Sequence, residues 1–204
     1  MIPRISRVIA DFFVQENVIE EEEAEVYQYG LELCVSSLIS VLLTLIISLC
    51  FGMIVESLIF YIVFCVTRLF SGGYHADSYF MCKVVFAASL IMVLIFNIFT
   101  QRVSVYFWLG FWLFYFLTIA FLAPVDNPNK KLDEDENTKH RNTSFVLAGS
   151  WFLLWIIVQI LHDGFARIIP LTLTLVSVLM ILAKGKEIIN KGGKQNAKCE
   201  EECT

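Results

Sequence analysis

A histidine and a cysteine, His75 and Cys82, stand seven residues apart in a polar interruption, 68–82, between two strongly apolar runs; it reads Arg-Leu-Phe-Ser-Gly-Gly-Tyr-His-Ala-Asp-Ser-Tyr-Phe-Met-Cys. A thiol attacks a carbonyl only as thiolate, and an ordinary cysteine, with a pKa of about 8.5, is barely ionised at neutral pH. An imidazole within reach changes this. It takes the thiol proton, holds the thiolate as an ion pair and later returns the proton to a leaving amine. Residue types alone leave a second reading open, with His75 an interfacial polar residue and Cys82 an inert packed thiol.

Helix geometry sets a condition on the dyad. On one straight helix, residues seven apart share a face but lie about 10.5 Å apart along the axis, beyond hydrogen-bond reach. The helix must therefore break, and Ser71-Gly72-Gly73 is expected to be irregular, with a bend at 76–78 folding His75 back toward Cys82. Backbone N–H groups of Gly72 and Gly73 could point at a developing oxyanion, and the missing side chains would let a peptide approach closely. Arg68 could bind a substrate carboxylate or carbonyl, and snorkelling at the membrane interface explains it as cheaply. Asp77 is a candidate to orient the imidazole, although it lies so near His75 in sequence that direct pairing is awkward.

The elements that must position these groups are membrane helices. The chain of 204 residues is 57% hydrophobic and only 17% charged, and its mean hydropathy is +0.69. Both proportions depart from those of soluble domains toward a bilayer protein. Uncharged runs fall at 33–55, 57–67, 84–101, 103–125, 142–161 and 168–183. A span needs about 20 residues to cross about 30 Å of hydrocarbon, so the first two runs make two helices that turn near Gly52. The expectation is an all-α, polytopic helical bundle with six transmembrane helices. The second is the weakest, because Glu56 lies just beyond the turn.

At the N-terminus, Ile2, Ile5, Val8, Ile9, Phe12 and Phe13 recur at helical spacing, with Arg4, Arg7 and Asp11 on other faces. This pattern predicts an amphipathic helix on the membrane surface rather than a cleaved signal peptide. The expected organisation is a surface segment at 1–30, a six-span domain at 31–184 and a mobile tail at 185–204. The tail shifts from basic to acidic and ends in Cys199 and Cys203. The six cysteines form neither a secreted disulfide framework nor a Cys-x-x-Cys pair.

Basic residues set the orientation. Arg4, Arg7, Arg68, Lys83, Lys130, Lys131, Lys139, Arg141, Lys184, Lys186, Lys191, Lys194 and Lys198 fall on one side of six spans, and Arg102 and Arg167 on the other. By the positive-inside rule both termini and the 68–82 stretch are expected in the cytoplasm of a cell-membrane protein. The connection 124–143 is read as the longest loop, opened by Pro124, Asp126, Asn127, Pro128 and Asn129. Its Lys130 and Lys131 suit either a solvated loop or contact with an acidic peptide.

Two other function classes are weighed. Glu56 could mark the pathway of a small transporter or peptide exporter, but the chain shows no inverted repeat and no second broken helix. A lipid-modifying transferase, prompted by Asp163-Gly164-Phe165-Ala166-Arg167, lacks the further aspartates its signature needs. His75, His140 and His162 are scattered and no His-Glu-x-x-His occurs, so neither a metal nor another cofactor is expected.

Arg68, Ser71-Gly72-Gly73-Tyr74-His75-Ala76 and Cys82, followed by Ala123-Pro124-Val125-Asp126-Asn127 and Lys130-Lys131, resemble the accessory gene regulator protein B (AgrB) family. The likeness covers most of the chain. It implies a membrane cysteine endopeptidase of quorum sensing that matures an AgrD-like propeptide: an amphipathic leader, a cysteine-containing pheromone segment and an acidic tail. It implies that Cys82 attacks the bond between pheromone and tail with His75 assisting. The propeptide's own thiol or hydroxyl then releases a thiolactone or lactone. By the same resemblance Lys130 and Lys131 contact substrate, Arg68 and Gly73 match positions required for activity, and a homodimer is expected. No third catalytic residue is evident, and no nucleic-acid partner is expected.

Overall fold

The computed structural model describes residues 2–16, 18–71, 79–122 and 134–202. Among these residues the regular elements are all helical: α1 (Ile2–Gln15), a single 3-10 turn (Glu21–Glu23), α2 (Ala24–Phe51), α3 (Ile54–Ser71), α4 (Tyr79–Phe99), α5 (Val105–Leu122), α6 (Glu134–Leu161), α7 (Asp163–Ala166) and α8 (Ile168–Glu202). In hydrocarbon each unpaired backbone N–H or C=O costs several kcal/mol, and a helix satisfies these groups within one segment. Five stretches are long and apolar enough to cross a membrane: Glu21–Phe51, Phe80–Phe99, Val105–Leu122, Arg141–Leu161 and Asp163–Lys186. The chain is a multi-pass membrane protein. The remaining long helix, α3, has 18 residues with Glu56 in its first turn and Arg68 in its last. At about 1.5 Å per residue such a helix extends about 27 Å, close to the thickness of the hydrocarbon.

The chain divides into two compact units, one of Met1–Gly52 with Ala76–Ala88, the other of Met53–His75 with Ser89–Thr204. In the first, α1 packs against α2. The face of α1 that is buried is its small one, Ser6 and Ala10, while Ile5, Val8 and Phe12 stay exposed. Small residues let two helix backbones approach, and the bulky apolar arc beside them is left for another environment. α2 ends at Gly52, whose φ of 67° is left-handed and whose N–H reaches back to the carbonyls of Ser48 and Leu49. The expected turn at this glycine is a left-handed helix cap.

In the second unit α8 packs on α3 and α5, and α6 packs on α3, α5 and α7. α8 is the most buried of the spans, with Ile168, Ile169, Leu173, Val176 and Met180 enclosed. Trp112 of α5 meets Phe152 of α6 edge-on at 5.0 Å between ring centroids, and Trp155 at 5.8 Å. Each such pair adds about 0.5–1.5 kcal/mol beyond burial.

One expectation is corrected here. Residues 134–142, read above as part of a long loop, are the opening turns of α6. Glu134, Asp135 and Glu136 stand at the helix start, where the macrodipole favours acids, and Asp135 precedes Lys139 by four positions. Charge density was mistaken for loop character.

Candidate active site

Cys82 is the fourth residue of α4 and so lies in its first turn. The thiol is free and half-buried. Beside it Phe80 and Met81 are 75% and 50% exposed, and Phe86, one turn on, is buried. The first turn of a helix presents backbone N–H groups without helical partners and is its electropositive end. Cys82 sits at such a helix start, half-buried beside exposed neighbours.

Lys83 follows directly, and its ammonium turns toward α2. Nζ donates to the carbonyl of Ser36 at 2.7 Å and to Oγ of Ser40 at 2.6 Å. Ser40 Oγ in turn donates to the Ser36 carbonyl at 3.2 Å. One turn earlier on α2, Gln28 Nε2 donates to Oε1 of the buried Glu32 at 3.1 Å. Gln28, Glu32, Ser36, Ser40, Thr44 and Ser48 recur at every fourth position, which makes a polar ridge along an otherwise apolar span. Thr44 bonds back to the Ser40 carbonyl at 2.8 Å and Ser48 to that of Leu45 at 2.8 Å. Sequence reasoning counted Lys83 only as a charge. The four-residue polar period of α2 was the signal that could have found its partners.

Arg68 occupies the last turn of α3, where a cation complements the negative end of the helix. Its guanidinium carbon lies 5.6 Å from the Phe64 ring centroid, and Phe64 stacks on Phe60 at 5.2 Å. The helix end is tied to α6, because Ser144 Oγ donates to the Phe70 carbonyl at 3.2 Å. Arg68 thus stands on a fixed platform at the entrance to the Gly-Gly stretch. Ser71 is the terminal residue of α3.

Arg68 and Cys82 belong to different compact units. Gly72, Gly73, His75 and Asp77, with the bend expected at 76–78, lie outside the described residues, as do Lys130 and Lys131. Among the described residues no group of three or more His, Cys, Asp or Glu could hold a metal ion. Each described candidate is thus placed within its own unit: Cys82 at the start of α4 and Arg68 at the end of α3.

A family profile, Accessory gene regulator B, matches residues 6–182. An AgrB-like protein 2 of Clostridium perfringens (strain 13 / Type A) is 32% identical over 146 residues, which is 68% of this chain and 68% of that protein. An AgrB-like protein of Clostridium perfringens (strain SM101 / Type A) is 29% identical over 146 residues, with the same shares of 68%. No solved structure matches the chain.

Proposed function

Because the chain belongs to the accessory gene regulator B family, with a role in accessory gene regulator quorum sensing, we propose that it is a membrane cysteine endopeptidase acting on an AgrD-like propeptide. One observation supports this above the others: Cys82 is a free, half-buried thiol in the first turn of α4, inside the region that matches the family. A helix start is where a thiolate is best tolerated, and a packing cysteine needs no access.

In the proposed reaction His75 accepts the Cys82 proton, and the thiolate adds to the carbonyl joining the pheromone segment to the acidic tail. The C–N bond breaks as the imidazolium returns the proton to the departing amine, leaving the pheromone segment, still joined to its leader, as a thioester on Cys82. N–H groups of Gly72 and Gly73 stabilise the oxyanion, Arg68 holds a substrate carbonyl or carboxylate, and Asp77 orients His75. The propeptide's own thiol then attacks the thioester and expels the Cys82 thiolate, closing a thiolactone; a hydroxyl in its place closes a lactone. Thiol exchanges for thiol, so this second step is near balance. Lys130 and Lys131 meet the acidic tail. A homodimer and the lipid bilayer complete the setting.

Topology supports the same reading. α2 and α4 are both long and apolar enough to cross the membrane, and Lys83 at the start of α4 bonds to Ser36 and Ser40 near the start of the apolar stretch of α2. In the proposed six-span arrangement α2 and α4 begin at one face, and α3, at 18 residues, supplies the return crossing between them. The charge bias then puts that face, the termini and Cys82 in the cytoplasm, where an unexported propeptide is found.

The test is co-expression with the propeptide followed by intact-mass measurement. An adduct on Cys82 with the mass of leader plus pheromone segment and loss of the tail are expected, both absent in Cys82→Ala. Tail removal by Cys82→Ala that has inserted normally overturns the proposal.

A further inference from the structure

We infer that Lys83 is a positioning residue for the reaction: by bonding to Ser36 and Ser40 of α2 it fixes where the first turn of α4, and so the Cys82 thiol, stands. The inference rests on the proposed role of Cys82 as nucleophile.

A lysine near the end of a membrane helix ordinarily extends its ammonium toward water, its stem lying along apolar surface. Lys83 does otherwise. Its side chain is half-buried and its Nζ lies 2.7 Å from the Ser36 carbonyl and 2.6 Å from Ser40 Oγ. These are short, charge-assisted hydrogen bonds, roughly twice as strong as neutral ones. One acceptor is main chain, which cannot swing away. The other, Ser40 Oγ, is itself held by its bond to the Ser36 carbonyl. The ammonium is therefore fastened to the backbone of α2, within one compact unit that holds both helix segments.

The consequence for Cys82 is geometric. Neighbouring Cα atoms are about 3.8 Å apart, and successive helical side chains diverge by about 100°. With Lys83 pinned against α2, rotation or sliding of the first turn is blocked, and Cys82 is held about 100° away round the helix. The ammonium bonds to α2, and Lys83 acts through the helix that it anchors. Its contribution is to orientation, where a displacement of about 1 Å can cost about a hundredfold in rate.

The experiment compares Lys83→Met, Lys83→Arg, Ser40→Ala and the double variant K83M/S40A in the full chain in membranes, measuring kcat and KM for tail removal. For Lys83→Met, kcat is expected to fall about ten- to a hundredfold with KM within about twofold. Lys83→Arg, which can reach the same acceptors, recovers most of the rate. Ser40→Ala falls less, and the double variant is no worse than Lys83→Met, because both changes cut one connection. A wild-type kcat in Lys83→Met, a loss confined to KM, or additive losses overturns the inference. Where Lys83→Met fails to accumulate in the membrane, Ser40→Ala decides, and an unchanged kcat there overturns it. Cys82→Ala separates the two readings. Activity without Cys82 removes the peptidase assignment, whereas an inactive Cys82→Ala beside a fully active Lys83→Met removes only the role of Lys83.

Discussion

The hydroxyl of Ser144 on α6 donates to the main-chain carbonyl of Phe70, two residues after Arg68, at 3.2 Å. The last turn of a helix leaves carbonyls without helical partners, and a neighbouring helix here supplies a donor for one of them. Ser144 is itself buried, so water is a poor substitute. Ser144→Ala is expected to cost about 1 kcal/mol in stability. Tail removal should slow by a few-fold while membrane insertion is unchanged; a wild-type rate would show that the end of α3 needs no such tie.

Arg68 offers a sharper comparison. Its guanidinium lies over Phe64, an arrangement worth about 0.5–1 kcal/mol at a partly exposed site. Lysine keeps the charge but not the planar stacking or the paired donors. Arg68→Lys is therefore expected to lose activity nearly as fully as Arg68→Ala, and Phe64→Leu to reduce it by a few-fold. Initial rates of propeptide cleavage check all three, and a fully active Arg68→Lys would reduce the role of Arg68 to charge alone.

At Gly52 the backbone is left-handed, with φ 67°, and a Cβ there would meet nothing within 4 Å. The penalty for any side chain is thus conformational rather than steric. Gly52→Ala is expected to destabilise the protein by about 1–2 kcal/mol, and Gly52→Asn by less, since asparagine enters this region more readily. Thermal unfolding in detergent measures both; equal midpoints for alanine and glycine would contradict the backbone argument.

Arg167 points the other way. It is only 8% exposed, and among the described residues its guanidinium donates to one carbonyl, that of Thr100, at 3.4 Å, while Nε has no partner. Burying a charge with so little compensation is unfavourable. Arg167→Met is expected to leave stability unchanged or raise it by up to about 2 kcal/mol, measured by thermal unfolding in detergent. A loss of more than about 1 kcal/mol would show that the guanidinium supports the bundle.

The all-helical membrane fold was readable because long uncharged runs in a bilayer leave the backbone little choice. Gly52 was readable for a related reason: a glycine that divides one long apolar run is where a helix can be capped. The helical period also found α1 and its apolar arc. It could not tell that Ser6 and Ala10, beside that arc, are the face that docks, because periodicity ranks bulk rather than fit. Residues 134–142 were misread since a charged stretch satisfies a helix as well as a loop. Cys82, Arg68 and their neighbours stood out by residue type and spacing. Lys83 did not, because its partners lie on another helix and only the pairing of α4 with α2 reveals them.

The bond from Lys83 to Ser36 joins residues 47 apart in sequence, and that separation has a meaning in time. During synthesis α2 emerges first and its acceptors wait. Everything from Met53 to Phe80 must be made before Cys82 and Lys83 leave the ribosome, and the bond can close only when α4 has reached its neighbour. A chain interrupted before that moment holds the acceptors on α2 with nothing to receive, and this half of the protein is joined only once α4 has arrived.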